Sequence, residues 1–278
     1  MIIDSHVHIT PPELIENTEK YRKKDKYFDL LSGSKVNKFT TADDLIVHMD
    51  ENNIDKSVVF GFAFKNMELC RLVNDYTMEM VEKYPERLIA YAVVNPTAEA
   101  LEEELERCKK GGLKGIGELF PEGQDFDLKS KDEMKNIAKF CINENWPLLV
   151  HINEPIGHYY CGKTDDSIEE GAVFAENFPE LTIIFAHLGG GLFFYELMPE
   201  MKDILSNVYY DTAAQPYLFD NKIYEVIKSA GLENKILLGS DYPLISAVKY
   251  YKILKETSLS SNDIAAISGN NYANLLNI

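Results

Sequence analysis

Eight short apolar runs, most of them β-branched, constrain the fold of this chain more than any other feature. They lie at about Ile2–Val7, Ser57–Gly61, Leu88–Val94, Lys114–Leu119, Pro147–Ile152, Thr182–Ala186, Asn207–Tyr210 and Lys235–Gly239, each followed by a segment of helical pattern. After the first, their starts recur every 25 to 35 residues, the length of one strand-loop-helix unit. Near-continuous apolar strands suit a parallel sheet covered on its outer face, since strict alternation is needed only where one face meets water. No linker, low-complexity tract or composition shift divides the 278 residues. The expectation is one domain, residues 1–278, folded as an α/β (β/α)8 TIM barrel. The alternative is an open doubly wound sheet, but no glycine-rich dinucleotide fingerprint follows any strand, and Gly189-Gly190-Gly191 lacks the Lys-Ser/Thr of a phosphate loop.

The intervening segments carry helix signals. Thr41 and Asp44 resemble a capping box ahead of Leu45, Ile46, Met49 and Ile54 at helical spacing. Further helices are expected at Asn66–Tyr84, Ala98–Lys110, Ser130–Glu144, Ser167–Asn177, Tyr195–Leu205, Asp220–Ser229, Leu244–Glu256, Asn262–Ile267 and Asn271–Leu276. Two connections are long: residues 9–40, polar with Tyr21, Tyr27 and Phe28 interspersed, and His151–Asp166. On a barrel, long loops after strands sit over the active-site mouth.

Composition narrows the partners. With 45% apolar and 26% charged residues the chain can bury a full core. Its net charge of −17 repels polyphosphates, so no nucleic-acid partner is expected; the basic run Lys20–Lys24 reads as solvated surface. No apolar run is long enough for a transmembrane helix, so no membrane is expected, and the first strand begins at Ile2, so a secretory signal is not expected either. Cys70, Cys108, Cys141 and Cys161 show no CxxC pairing and read as reduced thiols of a cytoplasmic protein. A small-molecule substrate and a homodimer are the partners expected.

The chemistry lies at the strand ends. His6 and His8 alternate with Val7 and so point to one side of the first strand. Glu118 ends the fourth, His151 the fifth, His187 the sixth and Asp241 the eighth. Four of the chain's six histidines thus converge with two carboxylates on the rim where barrel active sites form, a mixed N/O set that points to a divalent metal. Zn²⁺ fits first, with Mn²⁺, Fe²⁺, Co²⁺ or Ni²⁺ next. His48 lies outside this pattern and reads as a helix-surface or packing residue.

The segments Asp4-Ser5-His6-Val7-His8, Val150-His151, Ala186-His187-Leu188-Gly189-Gly190 and Gly239-Ser240-Asp241-Tyr242-Pro243, with the tail Ser268–Leu276, resemble the amidohydrolase superfamily across essentially the whole chain. They are most similar to its amidohydrolase-2 branch, which includes proteins related to aminocarboxymuconate-semialdehyde decarboxylase. The resemblance implies that His6, His8, His151 and Asp241 bind one catalytic ion, that His187 stands beside it, and that Asp241 also takes a proton from water. Gly115-Ile116-Gly117-Glu118 is similar instead to the TatD-like branch, in which this Glu bridges two ions. On that pattern Glu118 would bridge, with His151 and His187 on the second ion; the Ser-Asp-Tyr-Pro ending goes with one ion.

The expected activity is a metal-dependent hydrolase using an activated water on a small substrate, with His187 and Asp241 as its catalytic side chains. Alternatives are a metal-dependent non-oxidative decarboxylase (a lyase) of a small carboxylic acid and, with two ions, a phosphoesterase. A decarboxylase favours a carboxylate-binding arginine, and Arg22, in the first long loop, is the one that could reach the mouth. His158, Tyr160, Cys161 and Lys163 of the fifth loop and Asn95 after the third strand are the candidate substrate contacts. Asp211, ending the seventh strand, is expected to line the pocket or to support the ligands from behind.

Overall fold

Each apolar run forms a parallel strand: β1 Ile3–His8, β2 Lys56–Phe60, β3 Leu88–Ala90, β4 Ile116–Leu119, β5 Leu148–Val150, β6 Ile183–Phe185, β7 Val208–Asp211 and β8 Ile236–Leu237. The computed structural model describes residues 1–164 and 167–278, so the last two residues of the expected His151–Asp166 loop lie outside the described residues. The ladders run β1-β2-β3 and β4-β5-β6-β7-β8. Two parallel bridges, Ala92 with Ile116 and Val7 with Tyr242, join them. The seams are tight: Gly117 N donates to Ala92 O at 2.9 Å, and Asp241 N to His6 O at 3.0 Å. The sheet therefore closes on itself, as the (β/α)8 pattern requires.

A buried side-chain link braces the second seam. The Asp4 carboxylate accepts from Ser240 Oγ at 2.5 Å and Ser240 N at 2.9 Å, and burial raises its pKa to about 7 against the lowering by these bonds. This bond ties the strand carrying His6 and His8 to the turn carrying Asp241.

The outer helices follow the expected apolar faces. Lys131–Glu144 buries Met134, Ile137, Ala138 and Cys141, and Thr41 caps Ala42–Asn52 by accepting from Asp44 N. Cys70, Cys108 and Cys141 are buried on helices and Cys161 is exposed, all four unpaired. No helix among the described residues is long and apolar enough to cross a membrane.

Three segments depart from the sequence reading. Residues 9–40 carry three short helices, α1 Pro12–Glu16, α2 Thr18–Arg22 and α3 Lys26–Ser32. They are too short to show a helical period. They are held by burial of Leu14, Tyr21 and Phe28 in the cluster containing Phe60, Phe64 and Phe120, and by Asp25, whose carboxylate accepts from Phe28 N and Lys65 N. The expected helix Tyr195–Leu205 starts only at Pro199, where proline suits the first helical position; His187 to Gly191 before it have left-handed backbone. In the tail, a wide turn over Ala266–Asn270 separates the helices Ser261–Ala265 and Asn271–Leu276.

Gly190 shows why this glycine run is needed. Its φ is +59°, and a Cβ there would lie 2.2 Å from Asn153 O, against the backbone that follows β5. Gly190→Ala is expected to cost about 2–4 kcal/mol by denaturant unfolding, combining backbone strain with overpacking. Gly231→Ala, also at positive φ but with nothing within 4 Å, is expected to cost only the backbone part, and equal losses would contradict this account.

Candidate metal centre

The closed barrel brings the strand ends together as two groups of donor atoms. In the first, His6 Nε2 and His8 Nε2 are 3.3 Å apart, and Asp241 Oδ1 lies 3.8 and 3.4 Å from them. Glu118 Oε2 faces the same pair at 3.5 and 3.6 Å. In the second, Glu118 Oε1 lies 2.9 Å from His151 Nδ1 and 3.5 Å from His187 Nε2, and the two imidazole nitrogens are 3.1 Å apart. One carboxylate thus offers an oxygen to each group.

These spacings fit a divalent ion. Ligands about 2.0–2.2 Å from a tetrahedral ion stand about 3.3–3.6 Å from one another. The tautomers fit as well. His6 Nδ1 donates to Asp211 Oδ2 at 2.8 Å, His187 Nδ1 to Ala213 O at 3.0 Å, and His151 Nε2 to Asn153 Oδ1 at 3.2 Å. Each ring places its N–H on a protein acceptor at the back and turns its other nitrogen towards the centre, the usual support of a metal-binding histidine. Phe60 sets its edge against His6 and His8 at centroid distances of 5.0 and 4.8 Å, and Phe120 against His151 at 4.8 Å. Tyr27 of α3, in the first loop, packs on Phe120 with ring centroids 5.2 Å apart and donates its hydroxyl to Glu122.

Electrostatics couple the groups. Burial would lower the His6 imidazole, but Asp211 and Glu118 overcome it and raise its pKa well above the ordinary value. His187 rises to about 9, because Glu118, Asp241 and Asp211 outweigh burial. Burial would raise the two acids, yet His6 and His151 hold Glu118 well below the usual carboxylate range, and His8, His6 and His187 hold Asp241 at about 2. Both carboxylates are therefore ionised at neutral pH. His187 (φ 58°) and Asp241 (φ 60°) also sit in left-handed backbone, a conformation that side chains other than glycine adopt rarely and chiefly where a site demands it.

The expected residues do not all arrive together. His151, expected beside His6, His8 and Asp241 on the one-ion pattern and beside Glu118 and His187 on the two-ion pattern, lies within ligand distance of Glu118 and His187. Asn95, expected at the substrate, is a brace: its amide donates to Lys65 O and Gln124 O, and its oxygen accepts from Thr97 N and Oγ1, which leaves no donor for a ligand. Tyr160 reaches Asn153 and Glu154, and its phenol is raised by burial, then by the charges of Glu154 and Asp241. Lys163 pairs with Glu154 Oε1 at 3.0 Å, while His158 is exposed. Arg22 is held within its own loop by Glu19 and Asp29. His48 is a packing residue, stacked 4.3 Å from the Tyr242 ring. Asn153, not singled out from the sequence, is buried behind His151; its position two residues past that histidine, on the same side of an extended chain, was the available signal.

Comparison with known proteins agrees with this architecture. The family model described as Amidohydrolase matches residues 3–278. Among curated proteins, none matches the sequence. A Staphylococcus aureus protein classed with the amidohydrolases superposes with a TM-score of 0.75 at 21% identity, covering 100% of this chain and 99% of its own. The 5-carboxyvanillate decarboxylase of Sphingomonas paucimobilis gives 0.77 at 14% identity over 100% of this chain and 99% of its own. The corresponding enzyme of Novosphingobium aromaticivorans, with bound manganese, gives 0.77 at 16% over 100% and 97%. A 2-pyrone-4,6-dicarboxylic acid hydrolase assigned in Acinetobacter baumannii and a 4-oxalomesaconate hydratase of Rhodopseudomonas palustris share the fold.

The shifts set a pH dependence for the metal-free protein. His187 is raised from 6.5 to about 9, so its contribution to stability is complete below pH 6.5 and is lost as pH rises through 9. Asp241 is lowered from 3.8 to about 2, so its contribution is present above pH 3.8 and is lost as pH falls through 2. Calorimetry of the chelator-treated protein is expected to show Tm falling between pH 6.5 and 9, and a Tm that rises across that window contradicts the assignment.

Proposed function

The chain belongs to the amidohydrolase family, and we propose that it is a metal-dependent hydrolase acting on a small molecule at the C-terminal rim of its barrel. The observation that carries this reading is the rim itself: four imidazoles, three of them with their back nitrogens engaged, and two ionised carboxylates, one of which faces both donor groups. His6, His8 and Asp241, with Glu118 Oε2, would hold the catalytic ion. Zn²⁺ is proposed first from the mixed nitrogen and oxygen donors, and Mn²⁺ next, since a relative of the same fold contains it.

When bound, a divalent ion supplies Lewis acidity and lowers the pKa of its water towards about 7. The rest falls to the side chains. Asp241, its pKa held at about 2 and its side chain partly exposed, would be the group that accepts a proton from water. His187 is fixed by Ala213 O, so its Nε2 is the edge presented to water or substrate. The rings of Phe60, Phe120 and Tyr27 exclude bulk water around these groups. Tyr160, Lys163 and His158 are the proposed grip on a polar part of the substrate, with the Lys163 ammonium exchanging Glu154 for it.

Two second readings each have an observation behind them. Decarboxylation is favoured by the decarboxylases among the relatives of the same fold. It is disfavoured by the arginines, all engaged elsewhere: Arg22 as above, Arg71 with Glu103 and Glu104, Arg87 with Asp50, and Arg107 with Glu104 and Asp75. A two-ion phosphoesterase is favoured by Glu118 Oε1 beside His151 and His187. The unpaired cysteines support a cytoplasmic setting, and the exposed run of Phe194, Tyr195, Leu197 and Met198 supports a homodimer.

Metal-reconstituted protein is expected to cleave members of an ester, lactone and amide panel without releasing carbon dioxide from aromatic acids. Asp241→Asn is expected to lower kcat by about 10²–10⁴-fold. His6→Ala is expected to lose both the ion and the activity; loss of the ion with hydrolysis intact sinks the proposal. Carbon dioxide release alone selects decarboxylation, and two ions per chain with phosphoester cleavage select the phosphoesterase.

A further inference from the structure

We propose that Asp211 is the positioning residue that sets one histidine of each donor group at once, and so fixes the spacing between the two groups. The inference rests on the metal-binding reading of the rim. Asp211 ends β7 and is fully buried. Its Oδ2 accepts from His6 Nδ1 at 2.8 Å. Its Oδ1 accepts from two backbone amides, His187 N at 3.1 Å and Ala213 N at 2.9 Å. The second of these matters because Ala213 O is the acceptor for His187 Nδ1. One carboxylate therefore orients the His6 ring directly, and the His187 ring both through its own backbone and through the turn that holds its N–H.

The local sequence makes room for this contact. A Cβ at Gly239 would lie 2.8 Å from His6 Cβ and 3.2 Å from Asp211 Cβ, so a side chain there would push the pair apart. A carboxylate is also the group the position demands. All three partners are N–H donors, and an ionised carboxylate is acceptor-only on both oxygens. An asparagine of the same shape must turn its NH₂ either towards His6 Nδ1–H or towards the two backbone amides. Whichever it faces, donor meets donor, and one histidine loses its support.

The test is metal binding, read without turnover. Chelator-stripped wild type and Asp211→Asn are titrated with Co²⁺ against a chromophoric chelator, and the visible bands of the bound ion are recorded. Asp211→Asn is expected to bind about 10–100-fold more weakly, the usual effect of losing the carboxylate behind a ligand histidine, and to shift the Co²⁺ bands. Combined with His6→Gln it is expected to cost clearly less than in wild type, because one of its two targets is gone. Equal affinity and spectra in wild type and Asp211→Asn, or an equal cost in both backgrounds, overturns the role of Asp211 and leaves the metal site standing. A wild type that binds no Co²⁺ overturns both readings. Should Asp211→Asn not fold, imidazole nitrogen NMR of the Zn²⁺-loaded wild type decides: His6 and His187 are expected as Nδ1–H tautomers, and an Nε2–H tautomer at His6 overturns the proposal.

Discussion

The rim depends on the backs of three of its four rings, His6, His187 and His151, being occupied. An imidazole has two nitrogens, and a bond to one fixes the duty of the other. Here Asp211, Ala213 O and Asn153 take the N–H of His6, His187 and His151. The remaining nitrogens are forced towards two ionised carboxylates. A set of acceptors packed at 2.9–3.8 Å is stable only if positive charge stands among them, as protons when the metal is absent and as a divalent ion when it is present. The raised histidines and depressed acids are two views of that one requirement.

The barrel supplies the precision. Closure at the β8–β1 seam, braced by Asp4 and Ser240, brings Asp241 beside His6 and His8, from opposite ends of the chain. The glycine run after β6 lets that loop lie against the backbone following β5, and this brings His187 to His151. Strand ends hold the donors, while the first loop carries Tyr27 and the fifth loop carries Tyr160 and Lys163, the proposed substrate contacts.

The strand ends were legible because a parallel barrel repeats one unit, and the residue that closes each strand has one destination. That made His6, His8, Glu118, His151, His187 and Asp241 readable as a group before any geometry. Their partition was open between two patterns: His151 with His6, His8 and Asp241 around one ion, or His151 and His187 with Glu118 around a second. His151 and His187 share Glu118 Oε1 through ring orientations set by Asn153 and Ala213, and ring orientation leaves no trace in residue spacing. Asp211 was visible as a strand end, but its partner is 205 residues away. The helices α1–α3 were hidden because each is only 5 to 7 residues long and is stabilised by tertiary burial rather than by its own period. Asn95 misled because its strand-end position is shared by residues that face the mouth, whereas its side chain is used up on three loops.

The central claim is that this rim holds a divalent ion between His6, His8, Asp241 and Glu118. Crystals of the protein as purified, measured on both sides of the zinc and manganese absorption edges, test it most directly. The account predicts an anomalous peak in contact with those four side chains, with any second peak confined to Glu118, His151 and His187. The absence of any peak at the rim after metal soaking, with these side chains closed on one another by direct hydrogen bonds, would contradict it.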